Sequence, residues 1–100
     1  MSDKDFARAV AFTEEGMLEP ANDILEKIYK LTPWDPRIPV LLAGNYSQMG
    51  DYQKSLEEYR KAYRVHPNNI NAIMNIGYCQ MKLNNHGEAE EYFEKFFKLD

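Results

Sequence analysis

Few side chains in this sequence stand at the spacings that catalysis or metal binding requires. His86 and Glu88 form one half of the His-x-Glu and Pro-Cys-x-x-Cys pair with which some zinc enzymes hold their metal, but Cys79 is the only cysteine, so the thiolate half is missing. Neither His66 nor His86 has a second histidine three or four residues away to complete a metal pair on a helix. Cys79 has no identifiable base, and glycine-rich phosphate loops and serine-nucleophile motifs do not occur. The sequence therefore predicts a protein that is not an enzyme and that uses no metal or cofactor.

The composition limits the class of protein and of partner. The 100 residues are 44% hydrophobic and 28% charged, which suits one compact core, so we expect a single domain over residues 1–100. The 12 basic residues are outnumbered by 16 acidic ones, and this net charge of −4 disfavours nucleic acid as a partner. No run approaches the roughly 20 apolar residues of a membrane span, and the N-terminal residues lack an export signal. A single cysteine cannot form an internal disulfide, so we expect a cytoplasmic protein without membrane insertion.

A period of 34 residues indicates the elements that would position any site. A fixed period of roughly 20 to 50 residues is typical of stacked repeats. Residues of similar size recur at this step, in the series Ala9, Ala43, Gly77; Ala21, Ser55, Ala89; Leu25, Tyr59, Phe93; and Tyr29, Tyr63, Phe97. Pro33 and Pro67 are also separated by this step, as are Gly16 and Gly50. The sequence therefore predicts successive copies of one structural unit.

Each unit is predicted to contain two helices. In the first helix of each unit, apolar residues recur at intervals of three and four, where a strand would alternate. Asp35-Pro36 is a helix-start signal, because the carboxylate can accept from first-turn amides and proline suits the first helical position, and Asn69 occupies the equivalent place one period later. Gly50-Asp51 is predicted to end one helix and cap the next, and Asn84-Asn85 to do the same in the last unit.

These residues resemble the tetratricopeptide repeat, whose pattern is W-x2-L-G-x2-Y, then A-x3-F, then proline. The clearest copy is carried by Pro39, Leu42, Ala43, Tyr46, Ser55, Tyr59 and Pro67, and the last copy by Ile73, Ile76, Gly77, Ala89 and Phe93. In the first copy, Asp5 and Arg8 stand where large apolar residues are usual. The repeats are placed at roughly residues 2–35, 36–69 and 70–100. The resemblance implies an all-α fold, an α-solenoid of three helix-turn-helix repeats with about six antiparallel helices in a right-handed superhelical stack.

In such a stack the first helices line an inner wall, where we expect a groove that binds a peptide segment of a partner protein. The predicted groove residues are Phe6, Val10, Val40, Leu41, Gly44, Met74, Asn75, Tyr78 and Met81. Met74, Tyr78 and Met81 follow one helical stripe, and their side chains suit the apolar side chains of a partner. Asn75 would supply a hydrogen bond to the partner's backbone. The competing interpretation is that these residues are ordinary core between neighbouring helices.

The carboxylate clamp of this family, which holds the acidic C-terminal tails of heat-shock chaperones, is not reproduced. Its positions fall on Phe6, Val10, Leu41, Asn71 and Asn75, and none of these is basic. We therefore expect a protein or peptide partner recognised by apolar contacts. The acidic, three-unit arrangement also looks like the chaperones of type III secretion translocators, so a dedicated chaperone for one client is an alternative to a scaffold.

The last predicted helix leaves apolar residues without a following helix. Tyr92, Phe97 and Leu99 occupy the surface that earlier units offer to the next first helix. We expect either a further repeat of a longer protein or homo-oligomerisation through the C-terminal helix to cover them, and a self-assembling structural unit is the second alternative function.

Two lone residues receive structural interpretations. Trp34, in the connector between the first two units, is predicted to cover the joint between them, the alternative being a contact anchor on the outer edge. Cys79 is predicted to be a small packed side chain facing the preceding unit.

Overall fold

Six α-helices joined by short turns account for most of residues 3–99, the residues that the computed structural model describes. They are α1 (Asp3–Glu14), α2 (Leu18–Leu31), α3 (Arg37–Gln48), α4 (Tyr52–Val65), α5 (Ile70–Lys82) and α6 (His86–Leu99). Across these described residues no strand occurs, and the predicted all-α fold is confirmed. Met1, Ser2 and Asp100, which belong to the predicted domain and repeat limits, lie outside the described residues.

The turn within each helical hairpin has the same backbone conformation in all three units. Gly16, Gly50 and Asn84 have φ angles of 78°, 80° and 65°, and they are spaced by the period of the sequence. Glycine adopts this left-handed conformation without steric cost, and asparagine tolerates it better than most residues. In each turn the next N–H closes the preceding helix, as where the Asp51 N–H donates to the Tyr46 carbonyl at 2.9 Å. The predicted breaks at Gly50-Asp51 and Asn84-Asn85 are therefore confirmed.

The predicted helix-start residues satisfy backbone donors. The Asp51 and Asn69 side chains each accept a hydrogen bond from the amide three residues later, both at 3.1 Å. Asp35 behaves slightly differently, because its Oδ1 accepts from the Arg37 amide at 3.0 Å and the helix begins at Arg37, after Pro36. Since a side-chain cap contributes about 0.5–2 kcal/mol, Asp51 and Asn69 help to fix where α4 and α5 begin.

Small residues allow the two helices of each unit to approach closely. Ala43 and Ser55 are fully buried, and the Ser55 hydroxyl donates to the Ala43 carbonyl at 2.9 Å. In the last unit the Phe93 ring lies against the backbone of Gly77, where any side chain would collide with it. The predicted role of the small-residue positions is therefore confirmed.

Apolar residues hold neighbouring units together. They belong to the second helix of one unit and the first helix of the next unit. One cluster joins Leu25 and Ile28 of α2 to Ile38 and Leu42 of α3. A second cluster joins α4 to α5 through Leu56, Tyr59, Ile76 and Cys79. Full burial of such a side chain stabilises the fold by about 1.5–3 kcal/mol, so these two interfaces supply much of the stability.

The three units stack side by side in a row. Substantial helix contacts in the described part of the chain join only consecutive helices, from α1 with α2 to α5 with α6. The molecule measures 38 Å along its longest axis and 24 Å and 20 Å along the others. This arrangement is a helical repeat solenoid and not a bundle about one centre.

The prediction that Trp34 covers a joint is wrong. The side chain is 68% exposed, because it lies in the turn before α3 and not against the apolar clusters. By contrast, the prediction for Cys79 is confirmed, since it is fully buried and its Sγ lies 3.4 Å from the Ser55 hydroxyl of the preceding unit. Burial raises the pKa of the Cys79 thiol, which disfavours the reactive thiolate.

Candidate functional site

The nine predicted groove residues lie on the first helix of each unit, and none of them is buried. Phe6 and Val10 belong to α1, Val40, Leu41 and Gly44 to α3, and Met74, Asn75, Tyr78 and Met81 to α5. Tyr78 and Met81 are the most exposed apolar ones, at 38% and 40%. Phe6 and Leu41 pack partly against one core cluster and Val40 against the other, so at these three residues the competing interpretation as core between neighbouring helices keeps support.

Four of the predicted groove residues line one depression between α1 and α3. Phe6, Val10, Val40 and Leu41 form most of its apolar wall, and its volume is about 380 Å³. Pro36, Arg37 and Asn69 complete the wall. Val40 and Leu41 are available because the opposite side of α3, with Ile38, Leu42 and Asn45, faces the core.

Arg37 is the charged residue of this wall, and its charge is already paired. Its Nη2 lies 2.8 Å from Asp35 Oδ2, its Nε donates to Asp35 Oδ1 at 3.1 Å, and Asp3 lies 3.6 Å away. The guanidinium also stacks over the Phe6 ring, 4.5 Å from the ring centre. The hydrogen bond from Arg37 lowers the pKa of the Asp35 carboxyl, which stays ionised. Arg37 therefore acts as a fixed rim for an apolar depression and is not a free receptor for an anion.

The predicted groove residues of α5 do not line this depression and have neighbours of their own. Tyr78 packs edge to face with Tyr52 of α4, with ring centres 6.0 Å apart. The Lys82 ammonium lies 5.5 Å from the Tyr78 ring centre and 5.8 Å from that of Tyr52. Asn75 donates to the Asn71 carbonyl at 2.8 Å, so this amide is anchored on its own helix. Phe6 and Tyr78 therefore belong to two distinct clusters along the first helices.

Gly44 lies one helical turn after Val40 on α3. A Cβ atom placed there would meet nothing within 4 Å, so the surface beside the depression is open. Met74 is half-buried and Met81 is exposed, and neither lines the depression between α1 and α3.

Sequence reasoning missed five residues of this surface, namely Pro36, Arg37, Tyr52, Asn69 and Lys82. Pro36, Arg37 and Asn69 stand at helix starts. That position in the sequence does not indicate that they also line the depression. Tyr52 belongs to a second helix, whereas the groove was assigned to first helices. The signal that could have found Lys82 is its place four residues after Tyr78, where a cation can reach the ring.

The three predicted end-face residues have different surroundings. Tyr92 is half-buried and packs edge to face on Tyr63, with ring centres 5.7 Å apart. Leu99 is 45% exposed, but the corresponding Leu31 and Val65 are exposed by 65% and 46%, so its exposure is a property of the repeat position. Phe97 differs, because it is 71% exposed while Tyr63, its counterpart one unit earlier, is half-buried.

Residues 3–99 contain no group of three or more His, Cys, Asp or Glu side chains that could hold a metal ion. His66 and His86 are both exposed in turns or at a helix start. Within the same residues, every helix is too short or too polar to cross a membrane.

Comparisons with a protein-family model and with solved structures show which known proteins this chain is similar to. A family model described as tetratricopeptide repeat matches residues 46–95, which is half of the chain. No curated protein sequence matches the chain. Similar solved structures include a point mutant of MamA, with a TM-score of 0.90 and 17% identity over 98% of this chain and 72% of that one. A MamA fragment from Desulfovibrio magneticus RS-1 has a TM-score of 0.88 and 23% identity over 95% of this chain and 54% of that one.

A third similar structure is the first tetratricopeptide domain of Spaghetti (RPAP3), bound to the HSP90 peptide SRMEEVD. Its TM-score is 0.90 at 18% identity, and the match covers 100% of this chain and 82% of that one. At these identities the three similarities show the fold. The chain spans about half the length of the Desulfovibrio magneticus MamA fragment, 54%.

Proposed function

This chain belongs to the tetratricopeptide repeat family, whose fold serves protein–protein interaction, and from that premise we propose that it is a non-enzymatic module that binds a peptide segment of a partner protein. The observation that carries the proposal is the open apolar depression formed by Phe6, Val10, Val40 and Leu41. Apolar residues rarely stay at a surface as a contiguous, concave set unless they contact a partner. The proposed binding surface comprises this depression and continues past Gly44 towards Tyr78.

The chemistry of the depression favours an apolar peptide segment. A leucine, methionine or phenylalanine side chain would displace water from its apolar wall, which is the main source of affinity at such sites. A carboxylate would lose its hydration there, because Arg37 is already held by Asp35 and Asp3. We therefore expect this chain to discriminate against acidic tails such as the SRMEEVD peptide that the RPAP3 domain binds.

Gly44→Trp tests the proposed surface. The new side chain would extend over the open surface beside Val40 and obstruct a bound peptide. We expect α3 to keep its fold, because a Cβ atom at Gly44 meets nothing within 4 Å, and circular dichroism would check this. Peptides selected from a random library on the wild-type chain should carry apolar anchors and should bind Gly44→Trp at least about tenfold more weakly, a loss of about 1.4 kcal/mol, by isothermal titration.

Gly87→Trp is the matched control. A Cβ atom at Gly87, which is also a helical glycine, would meet nothing within 4 Å, but Gly87 lies on the second helix α6 and does not line the depression. Selected peptides should bind this variant like the wild type. Equal affinity for wild type and Gly44→Trp would contradict the proposal, as would a selection dominated by acidic C-termini. Recovery of one sequence motif would indicate a dedicated chaperone, and several unrelated motifs a scaffold.

A further inference from the structure

The second helices end and the next first helices begin on one edge of the solenoid, which we call the inter-unit edge. Successive helices pack on each other through short turns, so they run antiparallel and their ends alternate between two edges. The inter-unit edge holds the turn of residues 32–36, the turn of residues 66–69 and the end of α6. Each unit therefore presents the last turn of its second helix at this edge.

Cations recur at two positions near the end of every second helix. They are Lys27, Lys61 and Lys95 in one series and Lys30, Arg64 and Lys98 in the other, each spaced by 34 residues. The second series places one cation in the last turn of each of these helices. Within residues 3–99, the only ion pair of these six cations joins Lys61 to Glu58 at 3.0 Å.

The neighbouring carboxylates are either paired elsewhere or farther from the edge. Those at the starts of α1 and α3 lie 3.6 Å or less from arginines, and they are Asp3, Asp5 and Asp35. Those of the second helices stand one turn before the cations, and they are Asp23, Glu26, Glu57, Glu91 and Glu94. Arg64 has Arg60 and not a carboxylate at that spacing. The last turns of the second helices therefore carry positive charge alone.

Exposed apolar side chains lie at the same edge. Leu31, Val65 and Leu99 each follow a cation of the second series, and all three are exposed. Trp34 lies in the turn after α2, three residues beyond Leu31. Among the large apolar side chains of the described residues, only Phe97 is more exposed than Leu31 and Trp34.

The cations, the aliphatic residue and the turn share one surface in each unit contact. One depression is lined by Lys95, Lys98, Leu99, Pro67 and Asn68, among others. One period earlier the same positions are Lys61, Arg64, Val65, Pro33 and Trp34. The geometry also repeats, because Lys61 lies 5.2 Å from the Tyr29 ring centre and Lys95 lies 5.6 Å from that of Tyr63. Trp34 therefore lies on the same surface as the cations.

We propose that the inter-unit edge docks on an anionic lipid membrane. Trp34 and Leu31 enter the layer between headgroups and acyl chains, where tryptophan is favoured because its ring is apolar and its N–H is polar. The cations lie at the level of the lipid phosphates and attract anionic headgroups. This contact uses Trp34 as an anchor on the outer edge, and the chain lies on the membrane without crossing it.

The combination of side chains favours a membrane over other anionic partners. A nucleic acid or an acidic protein would pair with the cations but would leave Leu31 in water. A membrane supplies both the negative surface and the apolar layer beneath it. The contact is separate from the proposed peptide site, because the cations and apolar residues of this edge do not line the depression between α1 and α3.

The fluorescence of Trp34 tests the contact directly, since this is the only tryptophan of the chain. Vesicles of phosphatidylserine and phosphatidylcholine in equal amounts should shift its emission to shorter wavelength, and lipids brominated on their acyl chains should quench it. Vesicles of phosphatidylcholine alone should give no shift, and about 0.5 M salt should weaken the binding. An unchanged emission with anionic vesicles would overturn the proposal. Equally tight binding to soluble polyglutamate would also overturn it and indicate an acidic protein partner.

Neutralising single cations tests the charge contribution. Lys30→Gln and Arg64→Gln should each weaken cosedimentation with the anionic vesicles about fivefold, because each removes one cation from the membrane surface. Lys54→Gln is the matched control, since it makes the same charge change at an exposed residue at the other end of α4. It should bind like the wild type. An equal loss in all three variants would overturn the assignment of this edge.

Trp34→Ser tests the apolar contribution. It should weaken cosedimentation at least about tenfold with unchanged helicity by circular dichroism, because the exposed side chain contributes little to the core. Met17→Ser is the matched control, since it removes an exposed apolar side chain beside the first hairpin turn, on the opposite edge. Vesicle binding of Trp34→Ser at the wild-type level would overturn the insertion of Trp34, as would an equal loss in Met17→Ser.

Discussion

Two helical glycines, Gly77 and Gly44, differ in how closely other side chains approach them. A Cβ atom at Gly77 would lie 2.7 Å from the Phe93 ring, far inside van der Waals contact, whereas at Gly44 it would meet nothing within 4 Å. Gly77 therefore serves the close packing of α5 and α6. Gly44 has no packing reason within its own chain, which agrees with a surface kept open for a partner.

The pair Gly77→Ala and Gly44→Ala tests this difference. Alanine at Gly44 should raise the free energy of unfolding by about 0.5–1 kcal/mol, because alanine favours helix and meets no obstacle. Alanine at Gly77 should lower it by about 1–3 kcal/mol, because the Phe93 ring must move out of its contact. Urea unfolding followed by circular dichroism measures both, and equal effects of the two substitutions would refute the packing role of Gly77.

At the scale of elements, the three hairpin turns are the most strictly repeated feature of the chain. Gly16, Gly50 and Asn84 all have positive φ angles, and in each case the next helix begins two residues later. The first two turns use glycine and the third accepts asparagine, so the conformation and not the residue type is what the hairpin requires.

Substitution at these turns should change stability in opposite directions. Gly50→Ala should lower the free energy of unfolding by about 1–2 kcal/mol, since a Cβ atom is strained at a φ of 80°. Asn84→Gly should be neutral or stabilising, because it relieves the same strain at 65°. Gly87→Ala, at a helical glycine with open space around it, is the control and should not destabilise the protein. Thermal unfolding would measure all three, and a Gly50→Ala variant as stable as the wild type would contradict the strain argument.

At the scale of the whole molecule, stability comes from contacts between neighbours in a row. Helices α2 to α5 each pack against two substantial neighbours, whereas α1 and α6 each pack against one in the described residues. Solenoids of this kind lose structure from their ends, because an outer element can unfold without breaking the inner interfaces.

Native-state hydrogen exchange should resolve this gradient. Amides of α3 and α4 should exchange slowest, with free energies of opening close to the global value, and those of α1 and α6 fastest. Uniform protection of all six helices would indicate a single cooperative unit and contradict the nearest-neighbour description.

The groove illustrates where prediction from the sequence stopped. Helix periodicity placed Phe6, Val10, Val40 and Leu41 on the inner faces of their helices, and the structure brings these four together. Periodicity could not show that Tyr78 packs on Tyr52, because that contact depends on how far α4 and α5 are offset along their axes. The binding role of all nine predicted residues remains a prediction that the Gly44→Trp experiment tests.

The sequence by itself determined the helices, the hairpin turns and their order in a row, because these follow from local spacing: small residues where helices approach, glycine or asparagine where φ is positive, and caps where helices begin. Only the tertiary structure decided which exposed residues share a surface. It separated Tyr92 from Phe97 and paired Arg37 with Asp35, Asp3 and Phe6. The physical reason is that a side chain's neighbours across a helix interface depend on the relative position of two helices, a quantity that no single stretch of sequence contains.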